Sequence, residues 1–175
     1  MKILKYILFV IIGIVALVLI AAAIMDKSYS LTKEVTINRP AMDVYNYMRM
    51  HSNQVEWSAW YKMDTLAKME ITGTDGEVGS AWHWDSEVTG KGEQKIVALE
   101  PGAKIACELH FIKPFEGLAT NDVTFESIDS THTIVRNTFS GSSPYPMNIM
   151  SLCNDMMIGT PMQDGLNNIK AIMEK

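Results

Sequence analysis

The chain has 175 residues and only two cysteines, Cys107 and Cys153, with no C-x-x-C pair. Two cysteines cannot form a disulfide framework, and their surroundings show no metal-ligand spacing. Each lies in an apolar stretch, so both are expected to be buried free thiols. The sequence also lacks a Gly-rich phosphate loop, G-x-S-x-G and H-E-x-x-H, so no motif points to phosphate cradling, serine hydrolysis or zinc hydrolysis. Clusters of Lys and Arg are absent and the net charge is −5, which argues against a nucleic-acid partner and makes anionic headgroups an unpromising target. There are no internal repeats and no low-complexity segments.

One long hydrophobic run is present. Ile7 to Met25 is unbroken and apolar, and Tyr6 extends it. A helix of about 20 residues rises about 30 Å, the thickness of a bilayer's hydrocarbon core. A cleaved signal peptide is the competing reading, with Ala21-Ala22-Ala23 as the small-residue site. Signal h-regions run only about 7–15 residues, however, and this run is longer. A soluble buried helix is the third reading. The anchor reading makes residues 1–27 a single-pass span of the cytoplasmic membrane and residues 28–175 the domain. Lys2, Lys5 and the amino terminus favour the cytoplasmic side, which puts the domain outside, although Lys27 and Lys33 reduce the asymmetry.

Behind the run, the pattern reads as strand, helix, six strands, helix. Tyr29, Leu31, Lys33, Val35 and Ile37 alternate with polar residues as a strand does. Pro40 suits the first position of a helix reaching about Met50. Strands are expected at 68–72, 80–87, 92–99, 104–112, 119–128 and 132–140, separated by Asp75-Gly76, Thr89-Gly90, Pro101-Gly102, Pro114 and Asp129-Ser130. Such short connections imply an antiparallel meander. Thr160-Pro161-Met162-Gln163 has the capping-box form, so the last helix should start afresh at Thr160 after a break at Gly159. Met162, Leu166, Ile169 and Met173 form one apolar stripe on it. The sheet must bury its apolar face, and this helix is the obvious cover.

Several segments together resemble one known group. Ile37-Asn38-Arg39-Pro40 leads to Val44-Tyr45. Trp57-Ser58-Ala59-Trp60 is followed by Asp64, Val78-Gly79 by Trp82 and Trp84, and Met157-Ile158-Gly159 by Gly165-Leu166-Asn167-Asn168-Ile169-Lys170. In order and spacing these are similar to the SRPBCC superfamily, START-like domains of the polyketide cyclase/dehydratase type, over about Ser30 to Lys175. The resemblance implies an α+β helix-grip fold: a curved antiparallel sheet wrapped around a long C-terminal helix. It also implies a cavity for hydrophobic ligands. Ala59 stands where the family has Pro, and Asn137 where it often has Trp, so the cavity should be more polar there.

Trp82 and Trp84 share one strand face, as do Ile105, Cys107, Leu109 and Phe111 on another strand, and Val135, Asn137 and Phe139 on a third. The expected ligand-binding set is Trp82, Trp84, Leu109, Phe111, Phe125, Asn137 and Phe139 from the sheet, with Met162, Leu166 and Ile169 from the last helix. Asn137 would be a polar group in an apolar wall, and such a group needs a hydrogen-bond partner. His83 and Asp85, like Glu108 and His110, fall on the opposite face, where a base and its orienting carboxylate would meet no substrate. Trp57 and Trp60 either pack one end of the sheet or form a cavity rim. No catalytic residue, metal site or cofactor is expected. The expected function is membrane-anchored binding of a hydrophobic small molecule or lipid. A cyclase or dehydratase of the same superfamily and a cochaperone-like interaction module are the alternatives.

Overall fold

The computed structural model describes residues 2–175. The amino terminus, counted above in the charge argument, lies outside the described residues. Helix α1 (Lys2–Ile24) is one continuous helix, and Ile3–Ile24 is long and apolar enough to cross a bilayer. Most of its side chains are exposed, and Ala22 is buried. The helix does not stand wholly apart, because its last turn meets the domain. The buried Asn148 side chain donates to the carbonyls of Ala22 (2.7 Å) and Met25 (3.1 Å). Carbonyls at a helix C-terminus have no intrahelical partner, and here a side chain from 126 residues away supplies one.

The remaining chain forms one seven-stranded antiparallel sheet and a set of helices on one face. The strands are β1 (Ser28–Ile37), β2 (Lys68–Thr72), β3 (Ala81–Ser86), β4 (Gly90–Glu100), β5 (Lys104–Lys113), β6 (Gly117–Ser127) and β7 (Thr133–Ser142). Their spatial order is β1-β7-β6-β5-β4-β3-β2, so β2 to β7 form the expected meander and β1 adds to its far side. Between β1 and β2 run α2 (Ala41–Met48), a 3₁₀ turn (His51–Asn53), α3 (Gln54–Trp57) and α4 (Ala59–Met63). Pro40 caps α2 from outside rather than occupying its first position.

The last helix, α5 (Thr160–Met173), carries the expected stripe: Met162, Leu166 and Ile169 are buried. Burying each such side chain contributes about 1.5–3 kcal/mol. Its polar side chains serve the exposed edge of β1. Gln163 donates to the Glu34 carbonyl (3.2 Å) and Lys170 to the Thr36 carbonyl (2.8 Å), which ties the helix to this edge strand.

The entry to α5 differs from expectation. Gly159 and Thr160 are already helical, and Asp155–Gly159 forms a π turn that runs into α5. Thr160 therefore caps nothing, and its hydroxyl donates to the Asp155 carbonyl (3.3 Å). Pro161 is the physical reason for the wide turn. It has no N–H for the Met157 carbonyl, and its ring pushes that carbonyl away. Upstream, a 3₁₀ segment (Met147–Cys153) turns its apolar side chains outward. Cys153 is consequently exposed rather than buried, whereas Cys107 is buried on β5 and burial pushes its thiol up to about 11.

Candidate functional site: two apolar lobes and a polar layer

The inner face of the sheet divides along the strands. At the end distant from α1, Ile37, Val44, Tyr45, Ile96, Ile105, Val123, Phe125, Val135, Leu166 and Ile169 form a closed core. Tyr45 of α2 meets Phe125 edge to face at 5.7 Å. At the end near α1, Ala119, Phe139 and Met162 are buried, while Tyr29, Trp60, Leu109, Phe111 and Ile158 around them are half-buried.

The near lobe is built of aromatic rings laid across the strands. Trp84 meets Phe111 at 5.9 Å, Phe111 meets Phe139 at 6.4 Å, and Phe139 stacks on Tyr29 at 6.2 Å. Two glycines make room for this row. A Cβ on Gly92 would lie 2.5 Å from the Trp84 ring, and one on Gly141 would lie 2.7 Å from the Tyr29 hydroxyl. The glycine on each neighbouring strand thus lets a ring lie flat against the backbone.

Between the lobes three strands present a polar residue: Gln94 on β4, Asn121 on β6 and Asn137 on β7. Together with His51, Gln54, Arg49, Trp57 and Cys107 they line a cavity of about 20 Å³. That is room for one water-sized group. Asn137 Oδ1 and Trp57 Nε1 are buried here without a hydrogen-bond partner in the protein. An acceptor and a donor in this position can hold one small polar group. His51 is buried, and burial lowers its pKa, so the ring is neutral at pH 7. Its Nε2 faces the Ser80 carbonyl (3.4 Å) and its Nδ1 faces Gln54 Nε2 (3.1 Å). That network assigns the proton to Nε2, with Gln54 donating to Nδ1.

The ten residues expected to bind a ligand fall into separate places. Phe125, Leu166 and Ile169 belong to the closed core. Trp84, Leu109, Phe111, Phe139 and Met162 share the near lobe, and Asn137 lies in the polar layer. Trp82 sits beside His51 and donates to Met69 Sδ at 3.0 Å. Of the ten, only Asn137 reaches the 20 Å³ cavity. His83 and Asp85 lie outside the lobes, as expected. His83 faces Glu93 (3.3 Å) and Thr72 (3.0 Å), while Asp85 takes Lys91 (2.9 Å). His110 pairs with Glu116 at 3.3 Å. A groove of about 520 Å³ runs over this outer face, lined by Glu93, Lys95, Glu108, His110, Thr120 and Ser140 among others. No group of three or more His, Cys, Asp or Glu is placed to hold a metal among the described residues.

Sequence reasoning passed over His51, Gln54 and Asn121. The signal for Asn121 was there: it falls on the same β6 face as Val123 and Phe125, an Asn on an otherwise apolar face.

Known structures identify this architecture. A Mesorhizobium loti protein superposes with a TM-score of 0.61 at 15% identity, covering 83% of this chain and 97% of that one. Truncated norcoclaurine synthase from Thalictrum flavum gives 0.59 at 12%, covering 83% and 92%. The Aha1 dimer from Colwellia psychrerythraea gives 0.56 at 19%, covering 83% and 96%. The fold is a helix-grip. No protein-family model and no curated protein matches the sequence. In helix-grip terms the gripped helix is α5, and the two lobes and the polar layer occupy the space between it and the sheet.

Proposed function

We propose that this chain is a membrane-anchored binder of a hydrophobic small molecule or lipid, held against the near lobe of the helix-grip domain. The observation that carries this reading is the row Trp84, Phe111, Phe139 and Tyr29, in which three large rings remain half-open around the buried Phe139 instead of closing into the core. Ligand pockets are mostly apolar with a few placed polar groups. Asn137 Oδ1 and Trp57 Nε1 are the placed polar groups, and they suit a ligand with one hydroxyl- or amide-like end. The enclosed volume of about 20 Å³ takes only that end, so the body of the ligand lies in the near lobe and side chains there shift to admit it. Helix α1 is the anchor in this reading, with the domain outside the cytoplasmic membrane. Its uncharged run from Tyr6 to Ile24 supports the span, and Lys2 and Lys5 before that run support the orientation.

The test is native mass spectrometry of the full-length protein released from native membrane discs. The expected spectrum carries an adduct of one apolar molecule, lost in a Phe111→Ala, Trp84→Ala double variant. A bare protein mass under conditions that keep a known lipid-binding control loaded would overturn the reading.

A further inference from the structure

We infer that the α1 end of the helix-grip domain is a bilayer-docking rim, so that the near lobe opens toward the membrane surface. The inference rests on α1 spanning the membrane, as proposed above.

The strand order places five chain segments at that end. Ser28 of β1 pairs with Ser142 of β7, and Ala119 of β6 with Gly141. Phe111 of β5 pairs with Gly117, Lys91 of β4 with Lys113, and Ser86 of β3 with Gly90. Lys68 at the start of β2 pairs with Asp85. The tips that emerge there are the α4–β2 loop, the β3–β4 and β5–β6 turns, the α1–β1 link and the segment after β7. They expose Leu66 (92%), Phe115 (66%), Leu152 (72%) and Met156 (71%), with Val88 and Met150 also exposed. These are large apolar side chains in turns, where water-facing sequence is usually polar. Exposed apolar side chains gathered at one end of a domain mark an interaction surface.

The depth of this surface is fixed by α1. Its uncharged stretch from Tyr6 to Ile24 rises about 28 Å, close to the thickness of the hydrocarbon core, so Ile24 ends at the boundary. Ala22 lies two residues, about 3 Å of rise, inside that boundary. Asn148 is hydrogen-bonded to the Ala22 carbonyl at 2.7 Å and to that of Met25 at 3.1 Å. Ser143 donates to the Lys27 carbonyl at 2.8 Å. The Met147–Cys153 segment is therefore fastened at the level where the hydrocarbon ends. Its Met150 and Leu152, and Met156 after them, continue the exposed apolar surface of α1 onto the domain. The continuity selects the lipid surface as occupant over a protein partner or a second copy. The near lobe lies at the same end, since Tyr29, Phe111 and Ala119 are within a few residues of these tips.

Lipid-borne nitroxide quenching tests the rim. The full-length chain, with Cys153→Ser to leave only the buried Cys107, carries one fluorescent probe at a time on Leu66→Cys, Phe115→Cys, Met156→Cys, Ile128→Cys or Ile12→Cys. It is reconstituted in phosphatidylcholine bilayers containing either a lipid labelled near the headgroup, which reads the rim positions, or a lipid labelled at mid-chain, which reads position 12. Probes at positions 66, 115 and 156 should be quenched several-fold more than the probe at 128, which sits at the opposite end of the sheet. If only the probe at 12 is quenched, α1 is in the bilayer and the rim is not docked. If the probe at 12 also stays unquenched, the anchor reading fails and the rim fails with it. Quenching at 156 without 66 and 115 overturns the rim as a whole. Rim probes shielded from both the lipid and an aqueous quencher would show a protein partner in the lipid's place.

Discussion

The two lobes of the inner face share the same strands and the same helix, yet only one is closed. In the far lobe, aliphatic side chains interlock under α2 and α3. Ile37, Val44, Val135 and Ile169 have essentially no contact with water. In the near lobe, rings lie over Gly92 and Gly141, and Trp60, Leu109 and Phe111 remain half-buried. The difference teaches where this domain keeps its stability and where it can give. Close-packed aliphatic cores lose several kcal/mol when cut, whereas a half-open surface has less to lose. Under the proposed function, openness between sheet and helix belongs in the second region.

The largest expected effect is in the closed lobe. Leu166→Ala should destabilise the domain by about 2–5 kcal/mol, because a buried Leu leaves a cavity when truncated. Phe111→Ala, in the open lobe, should cost distinctly less than the roughly 3–5 kcal/mol typical of a fully buried Phe. Denaturant unfolding of both variants compares the lobes directly, and equal losses would erase the distinction.

Asn137→Leu tests the layer between them. Removing the unpartnered Oδ1 should leave stability unchanged or raised, while binding of a ligand that hydrogen-bonds it should weaken by about 1–3 kcal/mol. A purely hydrocarbon ligand should bind no worse. Isothermal titration with matched alcohol and alkane probes separates the two cases.

Asn148→Ala should cost about 1–2 kcal/mol locally, from two lost bonds to carbonyls at the end of α1. Faster amide exchange confined to α1's last turn and Met147–Cys153 is the expected signature. Removing residues 1–27 should leave the sheet and α5 cooperative in thermal unfolding and loosen that same segment.

The smallest effect is with pH. Burial lowers the pKa of His51 in the folded state below its ordinary 6.5. The unfolded chain then binds the proton more readily. This contribution to stability is complete above about pH 6.5 and declines as pH falls from there toward the folded value. His51→Gln should flatten that part of the stability profile, read from denaturant midpoints across the acid range.

Much of this fold was legible because its signals are local. Period-two alternation in the first strand and turn signals between the other six located all seven strands to within two residues, and the Met162, Leu166, Ile169 stripe located the gripped helix. What escaped depends on distant partners. Thr160 has the form of a cap, but Pro161 and the π turn before it let the helix pass straight through. Asn148 looks like any loop polar residue until the end of α1 is beside it. Trp82 and Trp84 share a face, yet only Trp84 joins the aromatic row, because its ring lies over Gly92 on the adjacent strand. The candidate site was legible as a list of inward-facing residues. Its division into two lobes by Gln94, Asn121 and Asn137 was not, because register across strands decides which side chains are neighbours.

The central claim is that an apolar ligand occupies the near lobe and not the closed core. Energy transfer from tryptophan to a fluorescent fatty-acid probe, titrated into the full-length protein in lipid discs, tests it most directly. The account predicts saturable transfer that Trp84→Ala and Phe111→Ala weaken and that Ile169→Val, in the closed core, leaves intact. Transfer that never saturates, or that survives both near-lobe substitutions unchanged, would contradict it.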